Sequence, residues 1–328
     1  MPGSASATAL SAVFAQIRSS FDASARRNEV QVSGVRRIPV DGLTQGFQPK
    51  GGGGAKAIVL VPVSLGISST TAPSDVQVLL HLHGVGADLS KGASSRDVSI
   101  DQIESQLAAS GRPMVGVLPQ GSSKPRFGGD TFDADALVGE VFTRLTALGV
   151  WPSAPKVSQT VLTAHSGGGF SITEGGMLGS SNQPSKLGEV ALFDAINGPN
   201  ELDAVENWLF NKQIPADIAR LKAAANDVER TQLLPKMLRF RAYHHGTATG
   251  KATRKVVDYE GLHRTLQQDL DSTLNTLATS SGLSPAIFAG LRTHYQVIAV
   301  GGPGTNAQHD TMVGQGHLQD ALANAPTP

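Results

Sequence analysis

Cysteine is missing from all 328 residues. That excludes disulfides, zinc–thiolate sites and a cysteine nucleophile, and leaves the redox compartment open. An excess of either charge is missing as well, because 27 basic residues face 27 acidic ones. With no net charge and no basic run, there is no electrostatic case for nucleic acid or an anionic membrane as the main partner. Long apolar runs are missing too. No stretch approaches the roughly 18 apolar residues that a membrane span needs. The opening residues, MPGSASATALSAVFAQIRSSF, carry no basic residue ahead of a short apolar stretch, which argues against a cleaved secretory signal. The expectation is a soluble chain, cytoplasmic by default, whose oligomeric state the sequence does not give.

What is present is alternation. Residues 7–27 predict a short amphipathic helix, with Leu10, Val13, Phe14, Ile17 and Phe21 at helical spacing. Val30 and Val32 alternate with polar neighbours as an edge strand does, and Gly51 to Gly54 form a loop tip. From residue 57 onward, apolar strand-like runs alternate with helical stretches. The strands are expected at Ala57–Val63, Val76–Leu82, Met114–Leu118, Val157–Thr163, Val190–Phe193, Leu238–Tyr243 and Tyr295–Val300. Helices are expected at Ile100–Ala109, at Ala134–Leu148 and from Gly167. This order predicts an α/β fold, a mostly parallel central sheet with helices on both faces. Residues 1–56 read as a packed-on N-terminal piece and 57–328 as one domain. Two further stretches, 200–236 and 258–292, read as helical. Packing on the sheet fits them better than a lid over the site, and Leu262, Leu266, Leu270, Leu274 and Leu277 mark the stripe of the second.

In a parallel sheet, functional residues gather at the carboxyl ends of the strands. The strongest motif there is VLTAHSGGGF, residues 161–170. A buried strand runs directly into Ala164-His165-Ser166-Gly167-Gly168, which fits small-x-Ser-x-Gly, the nucleophile elbow. So tight a turn demands small residues two before and two after the serine, and it holds the serine strained with Oγ exposed. Upstream, LLHLHGVGADLS at 79–90 closes another strand with His83-Gly84 and continues into Val85-Gly86. A loop of this kind can lend a backbone N–H to a developing oxyanion, with the second N–H from the residue after the nucleophile. The expected donors are Val85 and Gly167, with Gly84, His83, His165 and His244 around the substrate. His81 and His83 alternate across the strand, which argues against a shared metal, and His83 is expected to shape the loop by buried hydrogen bonds.

A serine hydroxyl needs a base, and the base needs an orienting carboxylate. His309 lies in the gap between the last predicted strand and the apolar periodicity that resumes at Met312, which makes it the expected base. His317 reads as two turns into the final helix, a surface or capping residue, while His244 and His245 end the preceding strand and line the pocket. For the acid, the segment after Tyr243 offers no carboxylate before Asp258. Asp194, closing the run ALFDAING, stands either as the acid or as a turn cap ahead of Gly198. Asp203 is a distant reserve, and Asp310 can hardly bend back to its own neighbour. The glycine-rich segments at 51–55 and 301–306 lack the strand–helix setting of a dinucleotide site, and neither cofactor nor metal is expected.

Taken in order, HLHG, LPQGS (118–122), AHSGGG, LFDAING and a late QHD resemble the α/β-hydrolase superfamily, and within it bacterial serine esterases, over roughly residues 57–325. The resemblance implies Ser166 as nucleophile, Asp194 as acid, His309 as base and Val85 and Gly167 as oxyanion donors. It implies a carboxylic ester hydrolase acting through an acyl-enzyme on a small or lipid-like ester. An amidase or peptidase on the same residues, or a silent hydrolase fold used for binding, are the alternatives. Ala164 in place of the elbow's first glycine, and the missing carboxylate after Tyr243, depart from the pattern.

Overall fold

A computed structural model describes residues 30–32, 34–50, 53–65, 71–88, 100–122, 127, 132–246, 257–301 and 305–326. The helix expected at 7–27, and Gly51 and Gly52 of the expected loop tip, lie outside the described residues.

The strands are β1 (Val30–Val32), β2 (Val35–Leu43), β3 (Ala55–Pro62), β4 (Asp75–Leu82), β5 (Met114–Pro119), β6 (Lys156–His165), β7 (Leu187–Phe193), β8 (Arg239–His244) and β9 (Tyr295–Ala299). They form one sheet in the order β1-β2-β3-β5-β4-β6-β7-β8-β9. The pairs β1–β2, β2–β3 and β3–β5 are antiparallel, and every pair from β5 to β9 is parallel. This is the expected mostly parallel central sheet with helices on both faces. β2 escaped the sequence reading because Arg36, Arg37 and Pro39 interrupt its apolar pattern. Arg37 is nonetheless buried, its charge met by Glu104 at 2.6 Å.

The helices are α1 (Ile103–Ala109), α2 (Ala134–Ala147), α3 (Gly169–Ile172), α4 (Pro199–Trp208), α5 (Ile214–Ala223), α6 (Asp227–Leu233), α7 (Tyr259–Ser280), α8 (Pro285–Arg292), α9 (Asn306–Thr311) and α10 (His317–Asn324). Alternation along the strands builds a core on each face. Val190 and Leu192 of β7 belong to the core that α2, α4, α5, α7 and α8 share on one side. Ala191 and Phe193 meet α1 and α10 on the other. No helix among the described residues is long and apolar enough to cross a membrane.

Several sequence expectations are corrected here. The 258–292 stretch is two helices, parted at Ser281 and the positive-φ Gly282 (72°). The 200–236 stretch is three, with a π turn at Leu209–Gln213 joining the first two. Leu202, Val205, Trp208, Leu221, Leu266 and Leu270 are all buried in the sheet's core, so both stretches pack on the sheet. The helix expected from Gly167 is a 3-10 turn, Ser166–Gly168, plus the single turn of α3, which stops ahead of Gly175 and Gly176.

Candidate active site

The turn after β6 is squeezed from two sides. A Cβ on Gly168 would collide with the Leu82 carbonyl at the end of β4, and one on Gly169 with the Ala195 carbonyl beyond β7. Only glycine lets the chain leave β6 that closely, and the reversal forces Ser166 to φ 52°. Asp194, directly after β7, has φ 45°. With Gln102 (φ 51°) these are the only non-glycine residues of positive φ among the described residues. Such conformations persist where the surroundings over-determine them, and they cluster at functional sites.

The structure brings Ser166, Asp194 and His309 together. His309 Nε2 lies 2.8 Å from Ser166 Oγ, and its Nδ1 lies 3.0 Å from Asp194 Oδ2. Asp194 is wholly buried. An ionised carboxylate can only accept, so Nδ1 carries the proton, leaving the Nε2 lone pair to accept from the serine hydroxyl. Asp203, Asp258 and Asp310 do not take this place. Asp258 caps α7, accepting from the Gly261 N–H at 2.8 Å.

Burial alone would raise the Asp194 carboxyl. Hydrogen bonds from His245 and His309 outweigh it and hold the group well below the usual carboxylate range. His245 supplies two of them, from its backbone N–H to Oδ1 (2.9 Å) and from its ring Nδ1–H to Oδ2 (2.8 Å). From the sequence, His244 and His245 both line the pocket with His244 beside the substrate, and in the structure it is His245 that reaches Asp194. Side chains of successive residues leaving a strand point opposite ways. His244 therefore turns from Asp194, donating Nδ1–H to the His245 carbonyl (2.9 Å) and stacking on His263 at 4.6 Å. Burial, then His244, push His263 down to about 4, so that imidazole is neutral near pH 7.

Three other residues depart from expectation. His309 sits in α9, not in a loop, and Thr305 and Gln308 close a capping box at that helix's start. His165 is fully buried and donates Nε2–H to the His309 carbonyl at 2.8 Å, so it holds the His309 backbone. His317 begins α10 instead of lying two turns inside it, with its ring 5.6 Å from that of Tyr243.

The loop after β4 lies against Ser166. A Cβ on Gly84 would stand 3.2 Å from Ser166 Cβ, and Val85 beside it is half exposed. His83 fixes this loop, donating Nδ1–H to the Gly84 carbonyl (2.8 Å) and accepting at Nε2 from the Gly121 N–H (2.9 Å). Among the described residues, no group of three or more His, Cys, Asp or Glu side chains is suited to hold a metal ion.

Two site residues were missed altogether. Asn197, in the turn after Asp194, donates Nδ2–H to the Ser166 carbonyl at 3.1 Å. Tyr259, the first residue of α7, stacks on the His309 ring at 5.2 Å and 17° and donates its hydroxyl to Asn197 Oδ1 at 3.0 Å. Burial and the nearby Asp194 and Glu201 raise the phenol above its ordinary value, so it stays protonated. Residue type alone gives neither away. Only the strand order shows that the 194–198 turn and the start of α7 converge on the elbow.

No protein-family model matches this sequence, and no curated protein does. Among solved structures, it is similar to an S-formylglutathione hydrolase (FrmB) from Staphylococcus aureus, at 14% identity over 90% of this chain and 98% of that one, TM-score 0.40. A ferulic acid esterase is similar at 13% identity over 87% and 99%, TM-score 0.42. The siderophore hydrolase EstB from Aspergillus nidulans is similar at 15% over 91% and 98%, TM-score 0.40. At these values the likenesses carry no argument about this chain's chemistry.

Proposed function

We propose that this chain is a serine hydrolase that cleaves carboxylic esters through an acyl-enzyme. One observation carries the reading: a strained serine at a strand–turn junction whose Oγ lies 2.8 Å from an imidazole oriented by a buried carboxylate. His309 Nε2 takes the hydroxyl proton as Ser166 Oγ bonds to the ester carbonyl carbon. The backbone N–H groups of Val85 and Gly167 hold the oxyanion, an interaction whose loss typically costs about 10² to 10³ in rate per donor. On collapse the ester C–O bond breaks, and the leaving alkoxide takes the proton from His309. Water then attacks the acyl carbon, giving a proton to His309 that returns to Ser166 Oγ as the acid departs. Asp194 fixes the imidazole tautomer and steadies its positive charge throughout.

Hydrolysis of a p-nitrophenyl ester by the full chain tests this. Ser166→Ala and His309→Ala should each remove nearly all turnover while the melting temperature hardly moves, since both side chains meet solvent at the site. Substantial turnover in Ser166→Ala sinks the reading.

A further inference from the structure

The base and the nucleophile are linked by a second route that the Ser166–His309 hydrogen bond does not use. The Ser166 carbonyl can only accept, so the Asn197 amide must present its NH₂ there, which leaves Oδ1 facing Tyr259. The phenol donates its proton to Asn197, its oxygen also faces the Ser166 hydroxyl, and the same phenol ring lies flat on the imidazole of His309. The backbone N–H of Asn197 is in turn held by the Glu201 carboxylate of α4. Tyr259 is almost fully buried and stands on the capped first turn of α7, a fixed post rather than a swinging side chain.

We propose that Tyr259 and Asn197 are a positioning pair that couples the ring of the base to the strained backbone of the nucleophile. Ser166 sits in a sparsely populated backbone region, which endures only while its surroundings hold it. Asn197 is the side chain that grips its carbonyl. Tyr259 stops that amide from rotating and fixes the plane of His309 in the same contact. Loss of either partner should blur the attack geometry without touching how the ester binds. This inference rests on Ser166 being the nucleophile.

The test is a double-mutant cycle in the full chain, followed by ester hydrolysis and by the rate of fluorophosphonate labelling. Tyr259→Phe keeps the ring on His309 and removes only the hydroxyl. Tyr259→Phe and Asn197→Ala should each lower kcat and the labelling rate by about 10-fold with KM nearly unchanged, as a lost hydrogen bond of about 1.4 kcal/mol predicts. The double variant should lose about 10-fold again in total rather than about 100-fold, because both changes break one link. Should Asn197→Ala not fold, the isosteric Asn197→Asp replaces the donor with a carboxylate facing the Ser166 carbonyl, and should be at least as slow. Wild-type kcat in either single variant, or additive losses in the double, overturns the pair while leaving the hydrolase reading intact. A wild-type protein that neither turns over the ester nor takes the label on Ser166 overturns both.

Discussion

The two ends of β7 carry two buried carboxylates with opposite fates. Glu189 near its start and Asp194 just past its end are both fully buried. Asp194 receives three hydrogen bonds and stays ionised. Neither Glu189 oxygen has a hydrogen-bond partner, and its nearest cation, Arg241 Nε, stands 3.5 Å away. Burial pushes Glu189 up to about 8 against the pull of Arg241 and Arg239. Burial is common to both, so donors aimed at the carboxylate decide which one keeps its charge. The end that holds a charge is the end where Ser166 and His309 gather. The other end is a structural clasp. There Arg241 meets Asp320 of α10 at 3.2 Å, with the hydroxyl of Tyr243 reaching back to the same carboxylate at 3.0 Å, and Arg112 holds the Ala325 and Pro326 carbonyls.

The largest way to break this contrast is Asp194→Asn. An amide can favour the wrong imidazole tautomer, so kcat should fall by on the order of 10³ to 10⁴ with little change in KM. A loss of only about 1 kcal/mol of stability, with the rate intact, would make Asp194 a turn cap instead.

A smaller loss should follow from disarming Asp194's other partner. His245→Leu removes the ring donor and should cost about 10- to 100-fold in kcat. His245→Asn sets an amide N–H close to where Nδ1 was and should recover most of that. Equal losses in the two would show that the donor is not what matters.

At the clasp the observable is stability rather than rate. The folded protein holds the Glu189 proton to about 8, against an ordinary 4.5. The stability this group contributes is therefore whole below the ordinary value and is lost as pH rises toward about 8. Urea unfolding should find the wild type less stable at about pH 8 than at about pH 5 by up to a few kcal/mol. Glu189→Gln should flatten that dependence while leaving ester hydrolysis unchanged. An unaltered slope would mean that Glu189 is ionised after all. The smallest effect belongs to His317→Ala, expected to leave kcat alone and to shift stability by no more than about 1 kcal/mol.

The strands were legible because parallel strands buried on both faces are plain apolar runs. The elbow was legible because its steric demands leave a mark in small residues around Ser166. Much of the rest of the site depends on which neighbours the sheet order creates. The second donor to Asp194 could not be told from its neighbour, since choosing His245 over His244 requires knowing which way β8 ends. Tyr259 stands one turn ahead of the stripe that begins at Leu262, and nothing in that stripe says that the turn before it reaches His309. The boundary at His309 was misplaced because a capping box in a six-residue helix reads like a loop. The split of α7 from α8 hid behind a single glycine.

The central claim is that Ser166 is a nucleophile made reactive by His309 and Asp194. Mass spectrometry of the protein after reaction with a fluorophosphonate tests it without assuming any substrate. The account predicts one adduct, on the Ser166 Oγ, that forms far more slowly in His309→Ala and Asp194→Asn. No adduct, an adduct on another residue, or labelling of Ser166 at an unchanged rate in both variants would contradict it.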